Sequence, residues 1–399
     1  GIDQEIKGIG LSMTNVGSYE RKPIAIIYEE KSAYKDTYAG AEDTVFLEAH
    51  HLIPSDPITD SVIVFMHPAG AGGAYLPMPT ALARSGIPVI FCNSRYRGVD
   101  SGLIMEKVVM DLGACVREAK EKLGYKKVIL GGWSGGGSLS LFYQSQAENP
   151  SLKNTPAGDH PDLTTAGLLP CDAVMLLASH CSRATTLTEW LDPSITDENN
   201  PQKRDKDLNI YDPDNPNQPP YSKEFLDLFR QKQIERNNRI TSWVKEKLQS
   251  FQGDPTKEFG FIVHGTMADP RWLDPSIEPN DRKPGWCYLG DPKVVNDSPI
   301  GIARFTSIRS WLSQWSYELS EADGEKCAAK ITKPILVLGN SADNACPPSH
   351  NQRLFNSISH ENKKLHIVKG ANHYYFGQKS HLEEATKLCF HWMRHNALL

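Results

Sequence analysis

The sequence lacks the usual signs of several protein classes. Its eight cysteines (Cys92, Cys115, Cys171, Cys181, Cys287, Cys327, Cys346 and Cys389) are scattered and form no C-x-x-C pair. Several sit in apolar segments such as VIFCNS and KLCFHW, which reads as buried reduced thiols and not as a disulfide framework. No Cys/His spacing resembles a zinc ligand set, so no metal is expected. No apolar run reaches the length that spans a bilayer. Blocks of like charge are missing too, and 43 Lys+Arg against 48 Asp+Glu leave a net charge of -5. A mildly acidic surface attracts neither nucleic acid nor an anionic membrane, so neither is expected as a partner. There is no internal repeat and no low-complexity tract. The first residue is Gly1 and not Met; a removed leader stays open, and a cytoplasmic location is the expectation.

What is present is ordinary globular composition over 399 residues, with 30 glycines and 27 prolines. Short continuous apolar runs alternate with amphipathic stretches. Strands are expected at 22–30, 43–52, in the run 60–75, at 87–98, at KKVILGG (126–132) and at 171–180. A helix is expected over 102–123, where Ile104, Val108, Val109, Leu112 and Val116 recur at helical spacing. Another follows at 136–147. This alternation predicts a parallel sheet covered on both faces. From about 181 to 330 the pattern stops, apart from a short strand near 259–265. The Asn/Pro/Asp-rich stretch 196–221 reads as loop. A long helix is expected over 222–251 with a break near Asn237–Asn238, and another over 301–319. Strands return at 333–340 and 363–370, with a last helix at 378–396. The organisation is therefore an α/β core interrupted by a mostly helical insertion: 1–180, 181–330 and 331–399.

The stretch VILGGWSGGGSLS (128–140) packs five glycines around Trp133 and Ser134. Ordered glycine is entropically costly, so the turn needs a reason. Gly132-Trp133-Ser134-Gly135-Gly136 is G-x-S-x-G between a buried strand and a helix, the context in which a strained turn exposes a serine hydroxyl. A phosphate-cradling loop is the competitor, but no Lys-Ser/Thr follows at the required spacing and G-x-G-x-x-G is not matched in the dinucleotide register. A plain structural turn also stays open.

A serine needs a base, and the base an orienting carboxylate. In IVKGANHYYFG (367–377), His373 lies in a loop after the last strand. In ILVLGNSADNACPP (335–348), Asp343 lies in the loop after the strand before it; taken alone, it would read as a turn residue capping a helix. Developing negative charge on a carbonyl oxygen needs N–H donors. Gly135 is one candidate, beside the helix start. The turn HPAGAGG (67–73) is the other source; Pro68 has no N–H, so Ala69 is the first choice and Gly70 the second.

With His67–Gly70, Gly132–Gly136, GNSADNACPP and GANHYYFG in hand, and NSRYRGVD (93–100) more weakly, the sequence resembles the α/β-hydrolase superfamily over about 22–180 and 330–396. The order Ser134…Asp343…His373 is the order of that family. The resemblance implies an eight-stranded, mostly parallel sheet with helices on both faces, a helical cap inserted after the sixth strand, and no cofactor. A serine at the turn separates the chain from relatives that use aspartate there. The implied activity is a serine carboxylic-ester hydrolase, lactones included, acting on a small-molecule ester with a medium or bulky apolar acyl or alcohol part. Thioesterase, amidase, C–C bond hydrolase and acyltransferase share the machinery, and a non-catalytic binding protein is the alternative outside enzymes.

Six of the eight tryptophans fall in the insertion. Each reads first as part of its own core, although an aromatic pocket is the other use. Trp311 is retained as a candidate substrate contact, with Trp133, His180 and Tyr374. For Trp133 the alternative is packing below the turn, and for His180 a polar structural role.

Overall fold

The computed structural model describes residues 17–37, 41–299 and 301–399, so the first sixteen residues of the expected leading segment lie outside the described residues. In chain order the elements are β1 (Tyr19–Glu29), β2 (Thr44–Pro54), β3 (Ser61–Phe65), α1 (Pro77–Arg84), β4 (Val89–Cys92), α2 (Met105–Arg117), β5 (Lys127–Trp133), α3 (Gly135–Glu148) and β6 (Ala173–Leu177). A long excursion then carries α4 (Arg183–Trp190), α5 (Lys223–Gln249), β7 (Gly260–Ile262) and β8 (Phe305–Ser307). The chain ends with β9 (Ile335–Asn340), α6 (Pro348–Ser357), β10 (Lys363–Val368) and α7 (Lys379–His395).

Eight strands form one sheet in the order β1-β2-β4-β3-β5-β6-β9-β10. Only β2 runs against its neighbours; the inner pairs are parallel, from β3–β4 and β3–β5 out to β9–β10. Every residue of β3, β4, β6 and β9 is buried, which is why these strands read as unbroken apolar runs. One face packs Val108, Leu112, Leu139 and Phe142 of α2 and α3. The other packs Met78 and Leu82 of α1 with Leu388, Phe390 and Trp392 of α7.

The excursion between β6 and β9 builds its own apolar cluster around Trp190, Trp272, Trp311 and Trp315. A smaller one holds Tyr221, Phe225 and Phe229. Two local expectations are corrected there. The break near Asn237–Asn238 does not occur: α5 is continuous over 27 residues. The amide of Asn237 donates to Thr188 Oγ1 at 3.0 Å and to the Trp315 carbonyl at 2.9 Å, and its oxygen accepts from Tyr317 N–H at 2.9 Å. With tertiary partners for every bond, that side chain does not compete with the helix backbone. The helix expected over 301–319 is much shorter. Phe305–Ser307 pairs as a strand with Gly260–Ile262, and helical structure occupies only 308–315.

The excursion is tied to the core by polar bonds near the carboxyl edge of the sheet. Met105 N–H donates to Ser313 Oγ at 2.7 Å, Gln314 Nε2 to the Asp100 carbonyl at 2.8 Å, and Trp272 Nε1 to the Asn344 carbonyl at 2.7 Å. All eight cysteines are buried and unpaired. Among the described residues, no helix is long and apolar enough to cross a membrane.

Candidate active site

Strand β5 ends at Trp133, and Ser134 turns the chain directly into α3 with φ 55° and ψ -125°. This backbone region is costly for any residue with a side chain. The turn closes because its neighbours are glycines: a Cβ on Gly132 would meet Gly137 Cα at 2.5 Å, and one on Gly136 would meet the Met66 carbonyl oxygen at 2.4 Å. Ser134 N–H is held by the Leu177 carbonyl at 3.0 Å. The hydroxyl therefore stands at the carboxyl edge of the sheet, beside the N-terminus of a 14-residue helix.

The loops after β9 and β10 bring the other two groups to the same edge. Asp343 is fully buried. Its Oδ1 accepts the N–H groups of Ala345 and Cys346, both at 2.8 Å. Its Oδ2 accepts His373 Nδ1–H at 2.8 Å. That bond leaves His373 Nε2 as the acceptor nitrogen, 3.1 Å from Ser134 Oγ. Asn340 braces the two loops: its amide donates to the Asn372 carbonyl at 3.1 Å and its oxygen accepts from Tyr375 OH at 3.2 Å. The three residues from 134, 343 and 373 thus form one hydrogen-bonded chain.

Around Ser134 lies a cavity of about 320 Å³, within the lower part of the range for small-molecule sites. Gly135, Ala69, Gly70, Trp133, His180 and Tyr374 all line it, together with Ser134 and His373. Trp133 packs against the core cluster on one side and lines the cavity on the other. Its ring lies 4.6 Å from that of His373 and 5.1 Å from that of Tyr374, so it forms a wall beside the imidazole. His180 is buried with Nδ1 unpartnered, and burial, reinforced by His350 and Arg183, pushes its pKa well below the usual value.

Trp311 is the candidate contact that the structure moves elsewhere. It is fully buried, stacks on Trp315 at 4.9 Å and donates its indole N–H to Thr241 Oγ1 at 2.9 Å. Its helical spacing served the interior of the excursion, not the cavity. The donors expected from the 67–73 turn differ as well. Gly70 N–H points at His67 Nδ1 at 2.8 Å, and Ala69 N–H at the same atom at 3.2 Å. Both amides are engaged inside their own turn. That turn is itself held by Ser94 Oγ on the Pro68 carbonyl at 2.5 Å and by Gly98 N–H on the Ala69 carbonyl at 2.8 Å.

Several lining residues have no sequence signal that singles them out. Arg183, Thr186, Leu187 and Trp190 come from α4, and Tyr288 and Ile302 from the irregular part of the excursion. Arg183 is neutralised within the wall, with Asp100 at 3.0 Å and Gln314 Oε1 at 2.7 Å. Cys346 Sγ lies 3.8 Å from Ser134 Oγ. Asp343, Cys346 and His373 bring potential metal-ligand atoms within 4.8 Å of one another. The chemistry does not favour that use: each Asp343 oxygen already accepts N–H bonds. Burial, with Asp343 beside it, also pushes the Cys346 thiol well above its usual pKa, whereas a ligand must be thiolate.

No protein-family model matches the sequence, and no curated protein is similar to it in sequence. Solved structures are similar in three dimensions. A highly thermostable carboxyl esterase from Bacillus coagulans, in complex with glycerol, matches with TM-score 0.51 and 11% identity over 95% of this chain and 98% of that one. DcsB in complex with its substrate analogue matches with TM-score 0.51 and 10% identity over 95% of this chain and 99% of the other. Such identity establishes a likeness of fold. With its strand order and the serine turn after β5, the chain has the α/β-hydrolase fold.

Proposed function

We propose that this chain is a serine hydrolase that cleaves a carboxylic ester, lactones included, through an acyl-enzyme on Ser134. The observation that carries this reading is the unbroken chain from Ser134 Oγ to His373 Nε2 (3.1 Å) and from His373 Nδ1 to Asp343 Oδ2 (2.8 Å) at the wall of a cavity. Ser134 Oγ attacks the ester carbonyl as its proton passes to His373 Nε2. Asp343, held by two backbone N–H groups, keeps the imidazole in the required tautomer and stabilises the imidazolium. The N–H of Gly135, at the start of α3, is one donor for the oxygen of the tetrahedral intermediate. The same imidazolium then protonates the leaving alcohol, and water, activated in turn by His373, releases the acid.

The excursion between β6 and β9 acts as a cap in this reading, because Leu187, Trp190, Tyr288 and Ile302 line the same cavity as Ser134. Leu76, Phe91 and Trp133 complete an apolar lining on the core side. A volume of about 320 Å³ favours an acyl or alcohol part of medium size over a bulky one. The test is a fluorophosphonate probe with peptide mapping, followed by esters, thioesters and amides of graded length. Labelling of Ser134, lost in Ser134→Ala together with ester hydrolysis, is expected. Folded protein that gives no adduct at Ser134 refutes the reading.

A further inference from the structure

Both amides that would ordinarily serve as the second oxyanion donor are spent on one imidazole. His67 Nδ1 accepts Gly70 N–H at 2.8 Å and Ala69 N–H at 3.2 Å. A ring nitrogen that accepts two N–H groups cannot carry a proton, so the proton of neutral His67 resides on Nε2. Nε2 faces the nucleophile turn: a Cβ on Gly135 would meet it at 2.8 Å, nearer than any other atom of that ring. His67 lines the same cavity as Ser134, Gly135 and His373.

We propose that His67 Nε2–H is a side-chain donor of the oxyanion hole and acts with the N–H of Gly135. The inference rests on the serine-hydrolase reading given above. As the Ser134 Oγ–carbon bond forms and the carbonyl electron pair moves onto oxygen, that oxygen accepts from Nε2–H and from Gly135 N–H. The serine proton goes to His373; His67 keeps its own proton throughout. The two histidines are thereby set to opposite tautomers by what binds Nδ1. Asp343 makes the Nε2 of His373 an acceptor, and the Ala69 and Gly70 amides make the Nε2 of His67 a donor. Burial, with Arg183 and His373 nearby, pushes the pKa of His67 down to about 3. The ring is therefore neutral over the range in which His373 must accept a proton. Absence of a side chain at position 135 is part of the same arrangement, since a methyl group there would occupy the approach to Nε2.

The competing role for His67 is to shape the 67–73 turn and nothing more. His67→Asn separates the two: the Asn side-chain oxygen accepts N–H groups two and three residues on, as Nδ1 does, but nothing remains at the place of Nε2. With a p-nitrophenyl ester, the variant is expected to lose about 100-fold or more in kcat with little change in KM, as for removal of one oxyanion donor. Activity within about threefold of wild type, in folded protein, overturns the proposal. A second measurement needs no variant. In wild-type protein carrying ¹⁵N-histidine, long-range ¹H–¹⁵N spectra should place the His67 proton on Nε2, and that proton should move downfield when a trifluoromethyl ketone adds to Ser134. A proton on Nδ1, or an Nε2–H unmoved by the adduct, overturns the proposal even where His67→Asn fails to fold. Wild-type protein that forms no Ser134 adduct instead refutes the hydrolase reading, and the role of His67 falls with it.

Discussion

Glu106 lies on α2 with its side chain wholly buried where the core meets the excursion. Oε1 accepts the Ser313 hydroxyl at 2.8 Å, and Oε2 has no partner. Burial therefore penalises the ionised form and pushes the pKa from 4.5 up to about 7, against the opposing pull of the Ser313 hydrogen bond. The folded protein holds this proton at pH values where the unfolded chain has released it. The contribution of Glu106 to stability is complete below pH 4.5, falls as the pH rises towards 7, and levels off above that. The gap between 4.5 and about 7 corresponds to about 3 kcal/mol of lost stability. Glu106→Gln keeps the shape and removes the titration. In urea unfolding at pH 4.5 and pH 8, wild-type protein should lose about 3 kcal/mol more than the variant over that interval. Any constant cost of the amide cancels, because it is the same at both pH values. Equal losses, within about 0.5 kcal/mol, would show that water or relaxation satisfies Oε2 and that the carboxyl titrates normally.

Asp343→Asn should lower kcat on an ester by about 10⁴-fold with small change in melting temperature, since the remaining oxygen still accepts the Ala345 and Cys346 N–H groups but the tautomer of His373 is lost; a loss under tenfold in steady-state assays would sink the assigned role. Ser134→Gly should be more stable than Ser134→Ala by about 1–2 kcal/mol in denaturant unfolding, because only glycine is unstrained at φ 55° combined with ψ -125°; equal stabilities would mean that the turn stores no strain. Trp311→Ala should cost about 3–5 kcal/mol of stability, while Trp133→Ala should raise KM for an apolar ester and leave stability less affected, as their placements in the cluster and in the cavity wall require. The reverse pattern in melting and steady-state measurements would contradict those placements.

The serine turn was legible because it is local. An apolar strand, a glycine-rich reversal and a small-residue helix lie within about a dozen residues, and their sterics leave one arrangement. The sheet was legible for a related reason: strands buried on both faces must be continuous apolar runs, and β3, β4, β5, β6 and β9 are. Asp343 and His373 followed less directly: each lies in a loop after one of the last two strands, and it is the order Ser134…Asp343…His373, implied by the resemblance, that singled them out, since Asp343 alone reads as a turn residue.

Other features depend on what residues far apart in the chain do to one another. Asn237 and Asn238 carry a helix-breaking signal, but Thr188, Trp315 and Tyr317 absorb the Asn237 side chain and α5 runs on. Trp311 and Trp133 are the same residue type, and only packing separates the one in the excursion's interior from the one beside His373. Ala69 and Gly70 line the cavity with Ser134, but their amides point at His67 Nδ1. Their orientation onto His67 is set by the Ser94 and Gly98 contacts that hold the turn.

Residue type, spacing and periodicity thus determine by themselves which groups this chain can offer: a strained serine, an imidazole, a carboxylate and a glycine-lined turn at one sheet edge. Tertiary structure alone decides which atoms of those groups remain free. His373 Nδ1 is claimed by Asp343 from another loop, whereas His67 Nδ1 is claimed by amides of its own turn, whose peptide planes are held by Ser94 and Gly98. In this protein that decision separates His373 from His67, two imidazoles in one cavity held in opposite tautomers by their different neighbours.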